Sequence, residues 1–330
     1  MSFFDLLTLI GGLCLFLFGM YIMGEALERK AGTKLKSTLT RITKNKFTAF
    51  LTGLIITAII QSSSATTVMV VGFVNSSVMT LRQSIGVIMG ANIGTTITSW
   101  ILSLGGISGD SFLIKMLKPS SFTPILALIG ILFLIFDRTA KRKNIALILL
   151  GFTTLMYGMN TMSGAVSGLA QVKAFENLFI LFKNPLLAVM AGAILTAILQ
   201  SSSASVGVLQ ALTVTGRVSY GAAIPIIMGQ NIGTCVTALI SSVGLGRNAK
   251  RAALIHLTFN LLGASVLLIA FYAISKFLRP VFLDTPASYI GIAISHSVFN
   301  ILCTVILLPF SSLLEKIAIK LIPDTMQNDK

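Results

Sequence analysis

The sequence predicts an all-α, polytopic membrane protein with two inverted-topology repeats, each containing a re-entrant helical hairpin. The composition supports a membrane protein: 55% of the 330 residues are hydrophobic and 11% are charged, whereas soluble domains carry about 25% charged residues. Several apolar runs are long enough to cross a bilayer. A polar motif that occurs twice, each time between short apolar arms, supports the repeats and their hairpins.

The charges and cysteines exclude several other classes of protein. The net charge is +15, but the Lys and Arg residues lie at the ends of apolar runs, as in membrane proteins. We therefore expect membrane lipid, and no nucleic acid, as a partner. The three cysteines, Cys14, Cys235 and Cys303, lie inside apolar runs and have neither metal-ligand nor disulfide-framework spacing. We expect no cofactor.

The first apolar run, residues 4–24, is predicted to cross the membrane. It lacks a preceding basic region, and it is longer than the hydrophobic core of a usual signal peptide. A basic stretch follows, with seven Lys and Arg residues between positions 29 and 46.

The next apolar segment surrounds the polar sequence Gln61-Ser62-Ser63-Ser64-Ala65. The arm before it, residues 47–60, is about 21 Å long as a helix, shorter than the roughly 30 Å hydrocarbon core. The arm after it, residues 66–76, is shorter still. Two short arms around a polar tip predict a re-entrant hairpin over about residues 47–76. The alternative is one long kinked helix.

The polar tip recurs as Gln200-Ser201-Ser202-Ser203-Ala204, 139 residues later. At this offset, residues 53–67 match residues 192–206 at ten of fifteen positions, and residues 87–98 match 226–237 at eight of twelve. The second window contains Met89-Gly90-Ala91-Asn92-Ile93-Gly94-Thr95 and its copy Met228-Gly229-Gln230-Asn231-Ile232-Gly233-Thr234. Matched Gln, Asn, Gly and Thr residues in one register indicate an internal duplication.

The other elements follow from the remaining apolar runs. The predicted spans are 84–104, 122–136, 145–169, 222–243, 252–274 and 287–309, with a second hairpin at about 185–215. The first repeat is residues 1–139. The second, with the final span, is residues 140–310, and residues 311–330 form a polar cytoplasmic tail.

The order of the spans predicts the orientation of the two repeats. If each hairpin returns to its own side, three crossings separate the starts of the two copies, so the second copy is inverted. A cytoplasmic 28–46 loop places 18 of the 25 Lys and Arg inside and 7 outside, as the positive-inside rule requires. The N-terminus is then outside and the C-terminus cytoplasmic in a multi-pass protein of the cell (inner) membrane. Hairpins that enter from opposite sides and meet near the midplane are typical of secondary transporters.

The two tips have the chemistry of an ion site. A helix that begins at a serine presents free N–H groups and hydroxyl donors, which suit a tetrahedral oxyanion. Carbonyl, amide and hydroxyl oxygens at the preceding helix end suit a monovalent cation such as sodium. Neither tip and neither Asn-Ile-Gly-Thr segment contains Asp or Glu. A neutral cage admits an anion with its cations, and it argues against proton coupling through an intramembrane acid.

At these residues the sequence resembles the type II sodium-dependent phosphate cotransporters, in a short bacterial form. The resemblance rests on the two Gln-Ser-Ser-Ser tips, the two Met-Gly-x-Asn-Ile-Gly-Thr segments, and His256 with Phe259-Asn260. It implies sodium-driven uptake of inorganic phosphate, with the tips as the substrate and sodium sites. Gln230 and Cys235 replace the Ala91 and Thr96 of the first copy, so the two half-sites are not equivalent.

The resulting hypothesis is a sodium-coupled phosphate symporter, not an enzyme, that works by alternating access. The candidate phosphate ligands are Ser62, Ser63, Ser64, Asn92, Ser201, Ser202, Ser203 and Asn231. The candidate sodium ligands are Gln61, Thr66, Thr95, Gln200, Ser205 and Thr234. One alternative keeps the transporter and changes the cargo to another oxyanion, such as arsenate, sulfate or a small carboxylate.

A second alternative is an intramembrane serine hydrolase that uses His256 or His296, although the sequence contains no Gly-x-Ser-x-Gly motif. Each histidine precedes a Phe and an Asn. A proton relay is possible chemistry for such histidines. We favour a structural role on an apolar face, away from the duplicated core. Glu25, near the end of the first span, is expected to be an interfacial charge.

Overall fold

The structure is a computed structural model that describes residues 3–42, 45–109, 111–136, 139–278 and 280–324. Lys44 of the basic stretch and residues 325–330 of the predicted tail lie outside these ranges. The described residues contain fourteen α-helices: α1 (Phe3–Ile42), α2 (Lys46–Ile60), α3 (Ser63–Asn75), α4 (Leu81–Ser103), α5 (Phe112–Leu117), α6 (Pro119–Phe136), α7 (Ala140–Ser167), α8 (Lys173–Leu181), α9 (Pro185–Leu199), α10 (Ser202–Leu212), α11 (Tyr220–Ser241), α12 (Arg247–Phe277), α13 (Tyr289–Leu307) and α14 (Ser311–Leu321).

Seven of these helices are long and apolar enough to cross a membrane: α1 as far as Gly32, α4, α6, α7, α11, α12 and α13. Gly32 has a left-handed φ of 56°, which kinks α1 where its apolar part ends. α2, α3 and α9 are apolar but shorter. The prediction of an all-α polytopic membrane protein is confirmed.

α1 and α7 pack against each other through glycines related by the duplication. Gly12 lies against Gly158, and Gly19 lies against Gly151, so closely that a Cβ would meet the backbone of the facing helix. Since 12 + 139 = 151 and 19 + 139 = 158, each contact is the exchanged copy of the other. From Gly12 to Gly19 along α1, the facing residue on α7 moves back from Gly158 to Gly151, so the two helices are antiparallel. The two repeats are therefore related by a two-fold axis and are inverted.

The packing of α2 on α4 distinguishes a hairpin from a kinked helix. Gly86, Gly90 and Gly94 of α4 lie against the backbone carbonyls of Lys46, Phe50 and Leu54, respectively. The residue numbers on α2 and α4 increase in the same direction along this contact, so the two helices are parallel. α3, which joins them, must return to the side where α2 began. The segment is therefore a helical hairpin and not one kinked helix, and small residues allow its backbone to approach α4 closely.

The second hairpin repeats this packing. Gly229 and Gly233 of α11 lie against the carbonyls of Val189 and Ala193, at the positions equivalent to the first-repeat contacts. α9 and α11 are therefore parallel, and α10 returns to the side where α9 began.

The bases of the two hairpins lie at opposite ends of α12. At the first, the Asn75 side chain accepts a hydrogen bond of 2.9 Å from the N–H of Gly246, just before α12 begins. At the second, the N–H of Ala287, beyond the end of α12, donates to the carbonyl of Val218 at 2.7 Å. α12 has 31 residues, about 46 Å as a helix. The hairpins thus enter the protein from opposite sides.

The predicted polar tail differs from the structure. Residues 311–321 form α14, which buries Leu314 and Ala318 against the protein. The buried guanidinium of Arg251 donates to the carbonyl of Ile322 and to Asp324, which holds the end of this helix against α12. The apolar residues at spacing i, i+4 indicate such a surface helix, so the prediction of a polar tail over residues 311–321 was incomplete. The short helices α5 and α8 were not predicted either.

Candidate functional site

The first tip is a helix break between α2 and α3. Gln61 has a left-handed backbone (φ 62°, ψ 25°), and its N–H closes α2 by donating to the carbonyl of Thr57 at 2.7 Å. Ser62 is extended and is the N-cap of α3, because its Oγ accepts from the N–H of Ala65 at 3.1 Å. Serine is a favoured N-cap residue, and the left-handed conformation costs a non-glycine residue about 1–2 kcal/mol. The break is therefore a specific, stabilised feature of the backbone.

The second tip has the same backbone. Gln200 is left-handed (φ 53°, ψ 21°), and Ser201 caps α10 by accepting from the N–H of Ala204 at 3.2 Å. Each tip thus places the C-terminal end of one short helix beside the N-terminal end of the next. Free carbonyl oxygens of the first and free N–H groups of the second lie within one turn of each other.

The two tips are in contact. Ser64 on the first tip donates its hydroxyl to the carbonyl of Gln200 on the second at 3.2 Å. The hydroxyl of Thr237, from α11, lies 3.5 Å from the same carbonyl. The structure therefore brings together two serine triplets that are 139 residues apart in the chain.

The tip serines keep hydroxyl donors. The Oγ atoms of Ser62 and Ser201 accept from backbone N–H groups, so their own O–H groups are free to donate. Ser63, Ser202 and Ser203 are buried, and they have no side-chain partner among the described residues. A cluster of turnable O–H donors beside two helix N-termini is chemically suited to an anion.

The threonines nearby present lone pairs instead. Thr66 donates to the carbonyl of Ser62 at 3.1 Å, Thr95 to that of Ala91 at 3.0 Å, and Thr234 to that of Gln230 at 2.9 Å. Because each proton is committed to a carbonyl, the oxygen can only accept. Acceptor oxygens of this kind are suited to a hard cation.

Two further threonines belong to the tips and were missed. Thr57 on α2 donates to Thr66 at 2.9 Å across the first hairpin, and both hydroxyls are fully buried. The equivalent pair in the second hairpin is Thr196 and Ser205, whose buried hydroxyls have no partner. The match of Thr57 with Thr196 inside the duplicated window was the signal that could have found them.

The side chains of the two tip glutamines differ in burial, although their backbone conformations agree. Gln61 is buried, its Nε2 donates to the carbonyl of Ala58, and its Oε1 has no partner. Gln200 is exposed. As the substitutions at Gln230 and Cys235 indicated, the two half-sites are not equivalent.

Asn92 and Asn231 are buried, but neither makes a hydrogen bond to a tip serine. The amide of Asn92 donates to Oδ1 of Asn260 on α12 at 2.7 Å. The amide of Asn231 donates to the carbonyl of Ile227 on its own helix at 3.0 Å. Their assignment to phosphate stays a prediction, and their free atoms are acceptor oxygens.

A cavity of about 500 Å³ reaches both tips. Its walls include Gln61 and Ser62 of the first tip, Ser201 of the second, and one face of α1 that carries Glu25 and Glu28. Glu25 forms an ion pair with Arg29 one turn further along. Glu25 was expected at the interface; it lies on the wall of the cavity, towards the basic end of α1.

The two histidines lie in the core, contrary to the predicted position away from it. His256 and His296 are both 0% exposed. Nδ1 of His296 is 2.5 Å from the hydroxyl of Ser99 on α4, while neither ring nitrogen of His256 has a partner. Both helices that carry the histidines pack on α4 and α11, which contain the duplicated motif.

The fold and the site together define a class of protein. It is a polytopic helical membrane protein whose two inverted repeats each contribute a broken helix to a shared polar centre, the arrangement found in secondary transporters. The Na+/Pi-cotransporter family matches the chain twice, over residues 15–164 and 154–294. The chain belongs to this family, which confirms the resemblance seen in the motifs.

Three relatives show the range of similarity. "Uncharacterized protein YqeW" of Bacillus subtilis is 30% identical over 309 residues, 93% of this chain and 95% of the relative. "Putative inorganic phosphate export protein YjbB" of Salmonella typhimurium is 26% identical over 325 residues, 98% of this chain and 57% of the relative. This chain therefore spans little more than half the length of that relative.

"Sodium-dependent phosphate transport protein 2B" of Homo sapiens is 37% identical over 101 residues, 30% of this chain and 15% of the relative. No solved structure matches the chain.

Proposed function

We propose that the protein is a secondary active transporter that carries inorganic phosphate together with sodium by alternating access. One observation carries the proposal: two serine-capped helix N-termini, from hairpins that enter from opposite sides, meet through the Ser64 to Gln200 hydrogen bond beside an open cavity. Such a centre can be reached from either side if one hairpin at a time moves.

Phosphate is proposed to bind between the serine triplets. Ser62, Ser63, Ser201, Ser202 and Ser203 offer O–H donors, and the N-terminal ends of α3 and α10 belong to tips that are joined by the Ser64 to Gln200 hydrogen bond. Hydroxyl and backbone N–H donors match the many acceptor oxygens of phosphate without fixed positive charge. A neutral site releases its anion more readily than a site built from Lys or Arg would.

Sodium is proposed to bind at the acceptor oxygens around each break. The candidates are Gln61, Thr66, Thr95, Gln200, Ser205 and Thr234, to which the geometry adds Thr57 and Thr196. In the second hairpin the unpartnered hydroxyls of Thr196 and Ser205 are buried polar groups that a cation would satisfy. Neutralisation of the phosphate charge by adjacent cations gives a physical reason for coupled binding.

The orientation follows from the charges. We place the basic end of α1 in the cytoplasm and the N-terminus outside, in the cell membrane. Because Glu25 and Glu28, near the basic end of α1, line the cavity, we propose that the cavity faces the cytoplasm.

The direction of net transport has a second candidate. The Salmonella relative is named as a putative phosphate exporter and aligns with 98% of this chain. An alternating-access carrier follows the gradients of its cargo, so the same site can serve uptake or export. We propose uptake where the sodium gradient points inward, and export as the alternative.

The serine hydrolase alternative has one structural counterpart, the contact between Ser99 and His296. Ser99 is 1% exposed and His296 is 0% exposed, so a substrate has no access to the hydroxyl. Neither histidine bonds to a tip serine. The geometry favours transport, and the relatives whose names state an activity are named as transporters.

Uptake of labelled phosphate into proteoliposomes tests the proposal. We expect an inward sodium gradient to drive accumulation, and choline in place of sodium to abolish it. Ser203→Ala should reduce uptake, whereas Ser167→Ala, an exposed serine bonded only within its own helix, serves as the matched control. Equal uptake in choline would refute the sodium coupling. Stronger competition by sulfate or a small carboxylate than by unlabelled phosphate would show that the transported anion is not phosphate. Vesicles with reversed gradients separate uptake from export.

A further inference from the structure

The last two long helices, α12 and α13, are themselves a related pair. Residues 256–268 match residues 296–308 at six of thirteen positions, including the pattern His-x-x-Phe-Asn. α12 packs on α11, α3 and α4, and α13 packs on the respective equivalents α4, α10 and α11, so exchanging the two repeats exchanges these helices. Gly263 of α12 lies against Cys303 of α13, and 263 + 40 = 303. The two-fold axis of the repeats therefore also relates α12 to α13, at an offset of 40 residues.

One hydrogen bond is made in both helices. Nδ2 of Asn260 donates to the carbonyl of His256 at 3.0 Å, and Nδ2 of Asn300 donates to the carbonyl of His296 at 2.9 Å. A backbone carbonyl can only accept, so these bonds fix which way each amide is turned. The Oδ1 atoms of Asn260 and Asn300 are then the groups available to other helices.

A second bond is made on one side alone. Oδ1 of Asn260 accepts from Asn92 at 2.7 Å. The equivalent pair is Asn231 and Asn300, since 92 + 139 = 231 and 260 + 40 = 300. Oδ1 of Asn300 is buried without a partner, and the amide of Asn231 donates within its own helix instead.

The four asparagines themselves do not explain this difference, although Cys235, which accepts from Nδ2 of Asn260 at 3.4 Å, is a threonine at the equivalent position 96. The Ser99 to His296 contact has no counterpart at His256 because position 238, equivalent to 99, is an alanine, so that difference is permanent. At the asparagine pairs all four residues are asparagine. Identical side chains in equivalent positions that are bonded on one side and unbonded on the other indicate a difference of conformation between the two halves.

We propose that the two asparagine pairs exchange during the transport cycle: Asn92–Asn260 is closed in the state seen here, and Asn231–Asn300 closes in the state that faces the other side. Asn260 and Asn300 are thus positioning residues for the two Asn-Ile-Gly-Thr helices. The inference depends on the proposed alternating access, because inverted repeats that swap conformations convert one state into the other.

The exchange forms one asparagine–asparagine hydrogen bond for each one that it breaks. The carbonyl of Ile227 already accepts the backbone N–H of Asn231 within α11. Releasing the Asn231 side chain therefore leaves no carbonyl unpaired, while Oδ1 of Asn300 gains the donor that it lacks. In return Oδ1 of Asn260 loses its partner. It is then unpaired, as Oδ1 of Asn300 is in the present state. Each state contains one closed pair and one open pair.

Cysteine labelling in detergent measures the populations of the two states. Gly24 lines the cavity, and a Cβ there has its nearest neighbour at 3.9 Å, so Gly24→Cys reports the present state. Its equivalent is Ser163 on α7, since 24 + 139 = 163, and Ser163→Cys reports the opposite state. Cys14 is replaced by serine because it is exposed, while Cys235 and Cys303 are buried. A hydrophilic maleimide is the probe, without sodium or phosphate.

We expect Asn260→Ala and Asn300→Ala to act in opposite directions. Asn260→Ala removes a bond of the present state, so the ratio of labelling at position 24 to that at position 163 should fall about five-fold, the weight of one net hydrogen bond. Asn300→Ala removes a bond of the opposite state, so the ratio should rise by a similar factor. The double variant should return the ratio towards that of the unaltered protein.

A merely structural role gives shifts of the same sign, which reinforce each other in the double variant, or no shift at all; either result overturns the exchange. If Asn260→Ala does not fold, the rise caused by Asn300→Ala still decides the matter. The labelling needs no cargo, so sodium-independent uptake with opposite shifts would contradict the coupling and leave the exchange intact. Sodium-driven uptake without opposite labelling shifts would support the sodium coupling and contradict the exchange of the asparagine pairs.

Discussion

The buried hydroxyls at the two hairpin tips allow one prediction to be worked in detail. Thr57 and Thr66 share a hydrogen bond of 2.9 Å, while the equivalent Thr196 and Ser205 have none. Valine has nearly the shape of threonine but no hydroxyl. Thr57→Val and Thr196→Val therefore remove the same group from equivalent positions in two different environments.

The magnitudes follow from the bonding. Thr57→Val removes one buried hydrogen bond and should lower the free energy of unfolding by about 1 kcal/mol. Thr66 keeps its bond to the carbonyl of Ser62, so no donor is left unpaired. Thr196→Val removes an unpartnered buried hydroxyl, whose penalty is about 1–3 kcal/mol, so without sodium it should be stabilising by about 1 kcal/mol. The two variants should differ by about 2 kcal/mol, or roughly 3 °C in unfolding temperature for a chain of this length.

The assay is the loss of the monodisperse peak in size-exclusion chromatography after heating, in choline and in sodium buffers of equal ionic strength. Sodium should stabilise the unaltered protein by mass action. Thr196→Val should lose much of this sodium-dependent gain, because valine offers no oxygen to the cation. Equal destabilisation of both variants in choline would refute the bonding argument. An unchanged sodium gain in Thr196→Val would show that Thr196 is not a sodium ligand.

Four further predictions test other parts of the structure. Gly90→Ala should abolish the folded yield, because its Cβ would overlap the carbonyl of the facing hairpin arm, whereas Gly72→Ala, with no atom within 4 Å of the added Cβ, should be tolerated; chromatography of fluorescent fusions measures both. Ser203→Ala should raise the KM for phosphate about ten-fold, by loss of a hydrogen bond to a charged group, and a normal KM in uptake assays would remove this serine from the site. Arg251→Ala should destabilise the protein by about 2 kcal/mol by releasing the end of α14, seen as a lower unfolding temperature, and an unchanged temperature would show that this contact is dispensable. Ser99→Ala should leave at least half of the phosphate uptake intact, and complete loss would reopen the hydrolase interpretation.

Local chemistry made much of this architecture predictable. The run of residues 47–60 is too short to cross a bilayer, and the Gln61–Ala65 sequence caps a new helix whatever surrounds it. The glycines at positions 86, 90 and 94 also indicate a face of close helix contact, although the partner helix and its direction came only from the structure. Spacings of four residues place such glycines on one face of a helix, so the sequence contains this information within a single element.

Other features depend on contacts between distant parts of the chain. The histidines were placed away from the core because an apolar helix face in a membrane can meet lipid or protein, and composition does not distinguish them. The tail was expected to be polar because its charges are more conspicuous than Leu314 and Ala318. In both cases the neighbouring helix decides which face is buried.

By itself, the sequence determined that a polar helix-break motif occurs twice, and it predicted an odd number of spans that inverts one copy relative to the other. Both results depend on residue order and segment length, which are local properties. Only the tertiary structure decided that Asn92 bonds to Asn260 while Asn231 and Asn300 stay apart, and that Gln61 is buried while Gln200 is exposed. Equivalent residues have the same intrinsic chemistry, so their different partners arise from the positions of helices that are distant in the chain.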